Sequence, residues 1–241
     1  MAKEYLIIVD PGKKRDPTAI MVMRDNFVIV DGSPRIGVPD KMQHYYEIIF
    51  IDKLLEARYT DVVDYIANIA EHRDLKNNHD LLVDGTGVGE AVIDIMREKF
   101  LVPISIVFTG GNSVNEVYQP FGKVFSDTGK LAGASVLKEI RVPKDDLVAA
   151  GQMLVQQGRL NVAEGMKFED DFKRQLLAFR GKVNDTTQRT KHEALTEADH
   201  DDLVVCFLMG AWYFTRQRKT DEQIIPPTNN NVVDWDPNDY I

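Results

Sequence analysis

Two apolar runs in this chain end in an aspartate followed at once by a turn: Tyr5 to Asp10 (YLIIVD, then Pro-Gly) and Leu81 to Asp84 (LLVD, then Gly-Thr-Gly). Short apolar runs bounded by turn residues read as buried strands. Around the second run, apolar stretches alternate with helical patterns. Tyr45 to Ile51 is apolar. Thr60 to Leu75 carries Val63, Ile66, Ala67 and Ala70 at helical spacing. Glu90 to Phe100 reads as a helix and Ile104 to Phe108 as a strand. Strand, helix, strand, helix, strand implies parallel pairing through crossover helices. The earlier short runs, Thr18 to Arg24 and Phe27 to Val30, fit antiparallel strands joined by polar turns. The expected fold is α/β, with a mixed central sheet of about five or more strands flanked by helices on both faces.

Beyond Phe108, the Gly-, Ser- and Asn-rich stretch Thr109 to Gly133 reads as a long irregular loop. Leu147 to Val155 looks helical, Arg159 to Val162 a short strand, and Phe168 to Phe179 a helix. Arg180 to Ala194, polar and basic with Gly181 and Asn184, suggests a hairpin or flap. Asp202 to Phe214 reads as a buried helix, with Leu203, Val204, Phe207 and Leu208 toward the core. Residues 1–218 are expected to form one domain, and the Pro/Asn-rich acidic stretch 219–241 a tail without a core of its own. The single cysteine, Cys206, permits no intrachain disulfide and suits a reducing compartment. No apolar run has the length of a membrane span. The net charge of -9 excludes an overall cationic coat, although not a local basic groove.

The acids at element ends carry the chemistry. Asp10 and Asp84 end strands, and Asp201 and Asp202 open the last helix in the run ADHDDLVVCFLMGAW. If the two strands are neighbours, their aspartates emerge side by side, and the helix start can reach the same spot. Such a cluster repels itself without cations, and its hard oxygen donors suit Mg²⁺ or Mn²⁺. Two ions about 3.5–4 Å apart can hold the attacking and leaving oxygens of a phosphodiester. Asp10, on the central strand, is placed to bridge them. Of the adjacent pair, Asp202 is expected as the direct ligand and Asp201 as the helix cap, because successive helical residues point about 100° apart. Each acid also has a plain structural reading: Asp10 and Asp84 as turn formers, Asp201 as a cap.

The Gly85-Thr86-Gly87-Val88-Gly89 segment lacks dinucleotide-binding spacing, since Glu90 occupies the position of the last glycine, and no phosphate-binding P-loop occurs. The glycines are read as a tight turn exposing Asp84. No ATP hydrolysis is expected of this chain. Basic residues flank the acids: Lys13, Lys14 and Arg15 after Asp10, then Lys173, Arg174, Arg180, Lys182, Arg189 and Lys191 before Asp201. Their functional reading is phosphate contact, with Lys13, Lys14, Arg15, Arg180, Lys182, Arg189 and Lys191 as the candidates, and salt-sensitive DNA binding as the consequence.

The segments LIIVDPG, LLVDGTGVGEAVIDIM and ADHDDLVVCFLMGAW together resemble the nuclease domain of large terminase subunits from tailed phages and related viruses. The resemblance spans roughly Tyr5 to Arg216. It implies an RNase H-like fold and two-metal cleavage of concatemeric double-stranded viral DNA during genome packaging. Asp10, Asp84 and Asp202 or Asp201 would then form the metal site. It further implies a packaging ATPase domain or polypeptide, a small terminase subunit and a portal as partners, and the host cytoplasm as location. The chain departs from full large terminases in lacking Walker motifs. Two alternatives remain open from the residues: another RNase H-like nuclease, such as a Holliday junction resolvase or RNase H, and a noncatalytic adaptor of virion assembly.

Overall fold

The computed structural model describes residues 3–13, 16–29, 42–125, 131–184 and 201–221. Among the described residues, eight strands form one sheet: β1 (Tyr5–Asp10), β2 (Thr18–Ile29), β3 (Met42–Leu54), β4 (His79–Asp84), β5 (Ile104–Thr109), β6 (Asn115–Phe125), β7 (Leu131–Pro143) and β8 (Leu160–Val162). Their spatial order is β6-β7-β5-β4-β1-β2-β3-β8. The first three strands form an antiparallel meander. β4 then joins β1 in parallel and β5 joins β4 in parallel. This is the mixed α/β arrangement expected from the sequence, widened by β6, β7 and β8.

Five helices among the described residues cover the sheet: α1 (Tyr59–Ala70), α2 (Gly89–Glu98), α3 (Lys144–Gln156), α4 (Glu169–Asn184) and α5 (Asp202–Asp221). Side chains alternate across β1, as the strand period requires. Tyr5, Ile7 and Val9 join the core under α1 and α2. Leu6 and Ile8 join the core under α3, α4 and α5. Burying each such aliphatic side chain contributes ~1.5–3 kcal/mol. The expected core residues Leu203, Val204, Phe207 and Leu208 are buried, and Cys206, Met209, Ala211, Trp212, Tyr213 and Phe214 are buried as well. α5 is therefore enclosed, lying on β1 and β2 with α3 and α4 over it. Gly210 permits this approach, since a Cβ there would stand 2.4 Å from Met23 Sδ and 2.5 Å from Ile8 Cδ1.

Three expectations need correction. Thr18 to Arg24 and Phe27 to Val30 are not two strands; the polar residues between them lie within β2, where Arg24 pairs with Glu47 and Asp25 with His44 across to β3. The stretch Thr109 to Gly133 is not a loop throughout, because β6 and the start of β7 run through it and pair as an antiparallel hairpin. Helix α4 continues through Arg180 and Lys182 to Asn184, so no hairpin starts at Arg180. The rest of the expected flap, with Arg189 and Lys191, lies outside the described residues, as do residues 222–241 of the expected tail. No helix among the described residues is long and apolar enough to cross a membrane.

Candidate functional site

The register brings the acids to one edge of the sheet. β1 and β4 run in parallel with Val9 opposite Val83, so Asp10 and Asp84 leave adjacent strand ends at the same level. Both follow residues packed under α5, Ile8 and Leu82. α5 starts over this edge and presents Asp201 and Asp202. The Asp201 carbonyl accepts the Val205 amide at 2.9 Å, the first bond of the helix, which makes Asp201 the N-cap position. A first-turn amide, Leu203 N, donates to Gln175 Oε1 on α4 at 3.2 Å.

Asp10 feels the charges of the other three acids. The Asp10 carboxyl is pushed well above the usual carboxylate range by burial, and then by the charges of Asp84, Asp202 and Asp201. Burial also raises Asp84; its bond from the Thr86 amide (2.8 Å) and the charge of Lys144 oppose the rise. The Cys206 thiol, one turn along α5 from Asp202, is pushed up by burial and by Asp10 and Asp202. Its Sγ lies 3.7 Å from the Ala19 carbonyl oxygen, packed beneath the acids.

The turn after β4 is tight, as expected. A Cβ on Gly89 would stand 1.7 Å from the Asp84 carbonyl oxygen, so only glycine lets α2 begin there. The turn does not expose Asp84, which is buried. Asp84 also acts as a turn former through its bond from Thr86, so its structural and chemical readings hold together.

Several neighbours escaped the sequence reading. Lys53, near the end of β3, places Nζ 3.0 Å from Asp171 Oδ2 and 3.9 Å from Asp202 Oδ2. Gln175 donates to Asp171 Oδ2 at 3.4 Å while holding Leu203. Lys144 opens α3 beside Asp84. The signal for Lys53 was its place: a lysine closing the apolar run IIFID, on a strand whose end shares the acid edge.

Of the expected phosphate-contacting residues, Lys13 is exposed in the loop after β1. Lys14 and Arg15 lie outside the described residues. Arg180 and Lys182 belong to α4, with side chains outside the description. Lys173 and Arg174 are engaged on their own helix, with Glu169 and Asp171 respectively.

The donors at the edge are all carboxylate oxygens, the ligand type that hard divalent cations take. Among the described residues, no three His, Cys, Asp or Glu side chains are already drawn together as a ligand set. The compensating positive charge comes from Lys53 and Lys144.

No family model matches the chain, and no curated protein matches it. Among solved structures, the human cytomegalovirus terminase nuclease domain is similar over 88% of this chain and 83% of that chain, with 12% sequence identity and a TM-score of 0.43.

Proposed function

We propose that this chain is a metal-dependent endonuclease that cleaves duplex DNA, acting on concatemeric viral DNA during genome packaging. One observation carries the reading: Asp10, Asp84, Asp201 and Asp202 are gathered at one sheet edge, where burial and mutual repulsion hold Asp10 well above the ordinary carboxylate range. Folding gathers like charges at a cost, and perturbed groups of this kind mark functional sites more often than structural ones. A donor set made only of carboxylates fits Mg²⁺ or Mn²⁺. Asp10, Asp84 and Asp202 would hold such ions, and Asp201 would support the helix start. When bound, such ions lower the pKa of an attacking water and stabilise the charge that develops on the phosphate.

The chain's own residues perform the remaining tasks. Asp84 is held by the Thr86 amide, which fixes its carboxylate against β4. Asp202 is held through its helix, whose first turn is tied to α4 by Gln175. Lys13, exposed in the loop after Asp10, would meet a DNA phosphate.

Cleavage of supercoiled plasmid in Mn²⁺ tests the reading. The wild-type chain should nick and linearise plasmid with little sequence preference, and Asp10→Asn should fall below about one-hundredth of that rate. Activity that survives excess EDTA, or an Asp10→Asn protein as active as wild type, would refute it. Preference for a four-way junction or an RNA–DNA hybrid over plasmid would move the substrate to the resolvase or RNase H class.

A further inference from the structure

The sheet register places a lysine in the same row as the acids. Asp10 lies opposite Ala19 on β2, and Ala19 lies opposite Lys53 on β3. Residues opposed across neighbouring strands share a face of the sheet. Asp84, Asp10, Ala19 and Lys53 therefore form a row across four adjacent strands, all beneath the start of α5. Ala19 is small and fully buried, so little side-chain bulk separates Asp10 from Lys53. Two strand spacings put the Cα atoms of Asp10 and Lys53 about 10 Å apart, within reach of a lysine stem.

The ammonium group has two unequal contacts. Its bond to Asp171 Oδ2 is 3.0 Å, whereas its approach to Asp202 Oδ2 is 3.9 Å, at the outer limit of an ion pair. The Asp171 side is built to stay. Arg174 and Gln175 also bind Asp171, and Gln175 is in turn held by the Leu203 amide. Of the two, the Asp202 contact of the ammonium is the weaker. A compact, flexibly mounted ammonium suits such a place better than a planar guanidinium, because it can pivot on its anchor.

We propose that Lys53 is the resident counter-cation of the acid site, so that a divalent ion enters by exchange, displacing the ammonium from Asp202 while Asp171 retains it. This rests on the metal-dependent reading above. The lysine keeps the cluster tolerable before metal arrives and sets the metal concentration at which the site fills. After exchange, its charge remains beside the site, anchored on α4.

Mn²⁺ binding by the full chain, followed by calorimetry and by electron paramagnetic resonance of the free ion, tests the exchange. Lys53→Met keeps an unbranched, flexible stem one atom shorter and removes the charge. It should bind Mn²⁺ about 3- to 10-fold more tightly than wild type, the Coulomb effect of one charge at this distance after solvent screening. It should also melt at a lower temperature without metal, a deficit that Mn²⁺ narrows. Lys53→Arg should stay within about twofold of wild type in affinity, since the charge is kept. Asp171→Asn should act in the opposite sense: without its anchor the ammonium leans on Asp202, and Mn²⁺ binds more weakly. Asp171→Asn also serves if Lys53→Met does not fold. Unchanged or weaker Mn²⁺ affinity in folded Lys53→Met, or unchanged affinity in Asp171→Asn, overturns the exchange while leaving the metal site standing. A wild-type chain that binds no Mn²⁺ overturns the metal reading, and the exchange with it.

Discussion

The two ends of the central sheet treat buried charge in opposite ways. At the end where β1 and β4 begin, charged and polar groups meet partners. Arg24 pairs with Glu47 at 2.6 Å, Asp25 with His44 Nδ1 at 2.8 Å, and the Tyr213 hydroxyl donates to Asp80 at 2.9 Å. At the end where β1 and β4 finish, Asp10 faces Asp84, Asp201 and Asp202. Pairing offsets the cost of burying charge, and like charges brought together leave part of it in place. The same sheet thus has one end where buried charges are paired and another where like charges gather.

The comparison is tested most sharply at the acid end. Asp202→Asn should reduce plasmid cleavage by about 10²-fold or more while leaving the melting temperature close to wild type. Asp201→Ala should instead lose ~0.5–2 kcal/mol of stability, the range for losing an N-cap. Cleavage rates and thermal melts on both would reverse the two roles if Asp202→Asn stayed active and the Asp201 variant were dead but stable. At the paired end, Asp25→Ala removes a buried partner of His44 and should cost ~1–3 kcal/mol, with the cleavage rate per folded molecule unchanged. Denaturant titration reads this, and a loss of activity without a loss of stability would mean that the two ends are not separable.

The smallest expected effect has the opposite sign. Because the Asp10 and Asp84 carboxyls are raised in the folded chain, the folded state holds more protons than the unfolded one between the ordinary carboxylate range and the raised values. Metal-free stability should therefore fall as pH rises through that window, and be greatest on its acid side. Asp10→Asn removes one of the repelling charges. In EDTA it should flatten this slope and melt higher than wild type at neutral pH, by about 2–4 °C per kcal/mol of repulsion removed. A melting temperature lowered by Asp10→Asn would show that Asp10 is held by favourable partners after all.

The acid end was legible in the sequence because each aspartate closes or opens an apolar element, and such elements declare themselves locally. What the sequence hid depends on contacts distant along the chain. Asp25 and Asn26 looked like a break between two strands because the partner of Asp25, His44, stands on the next strand. The β6–β7 hairpin was obscured by its Gly, Ser and Asn content, and its support comes from β7 docking in parallel beside β5. Lys53 was not singled out, because its meaning comes from Asp171 and Asp202 on helices much later in the chain.

The enclosure of α5 gives its apolar contacts a second duty. Advancing a helix by one residue shifts it about 1.5 Å along its axis and turns it about 100°. A slip of that size would swing Asp202 away from Asp10. Gly210 seats against Met23 and Ile8 and so acts as an indexing notch, fixing both the depth and the rotation of the whole rod. That notch lies about 12 Å along the axis from Asp202. The aim of a carboxylate at the site is therefore set by the fit of a glycine deep in the core, and a methyl group added there would misdirect the site without touching any of its acids.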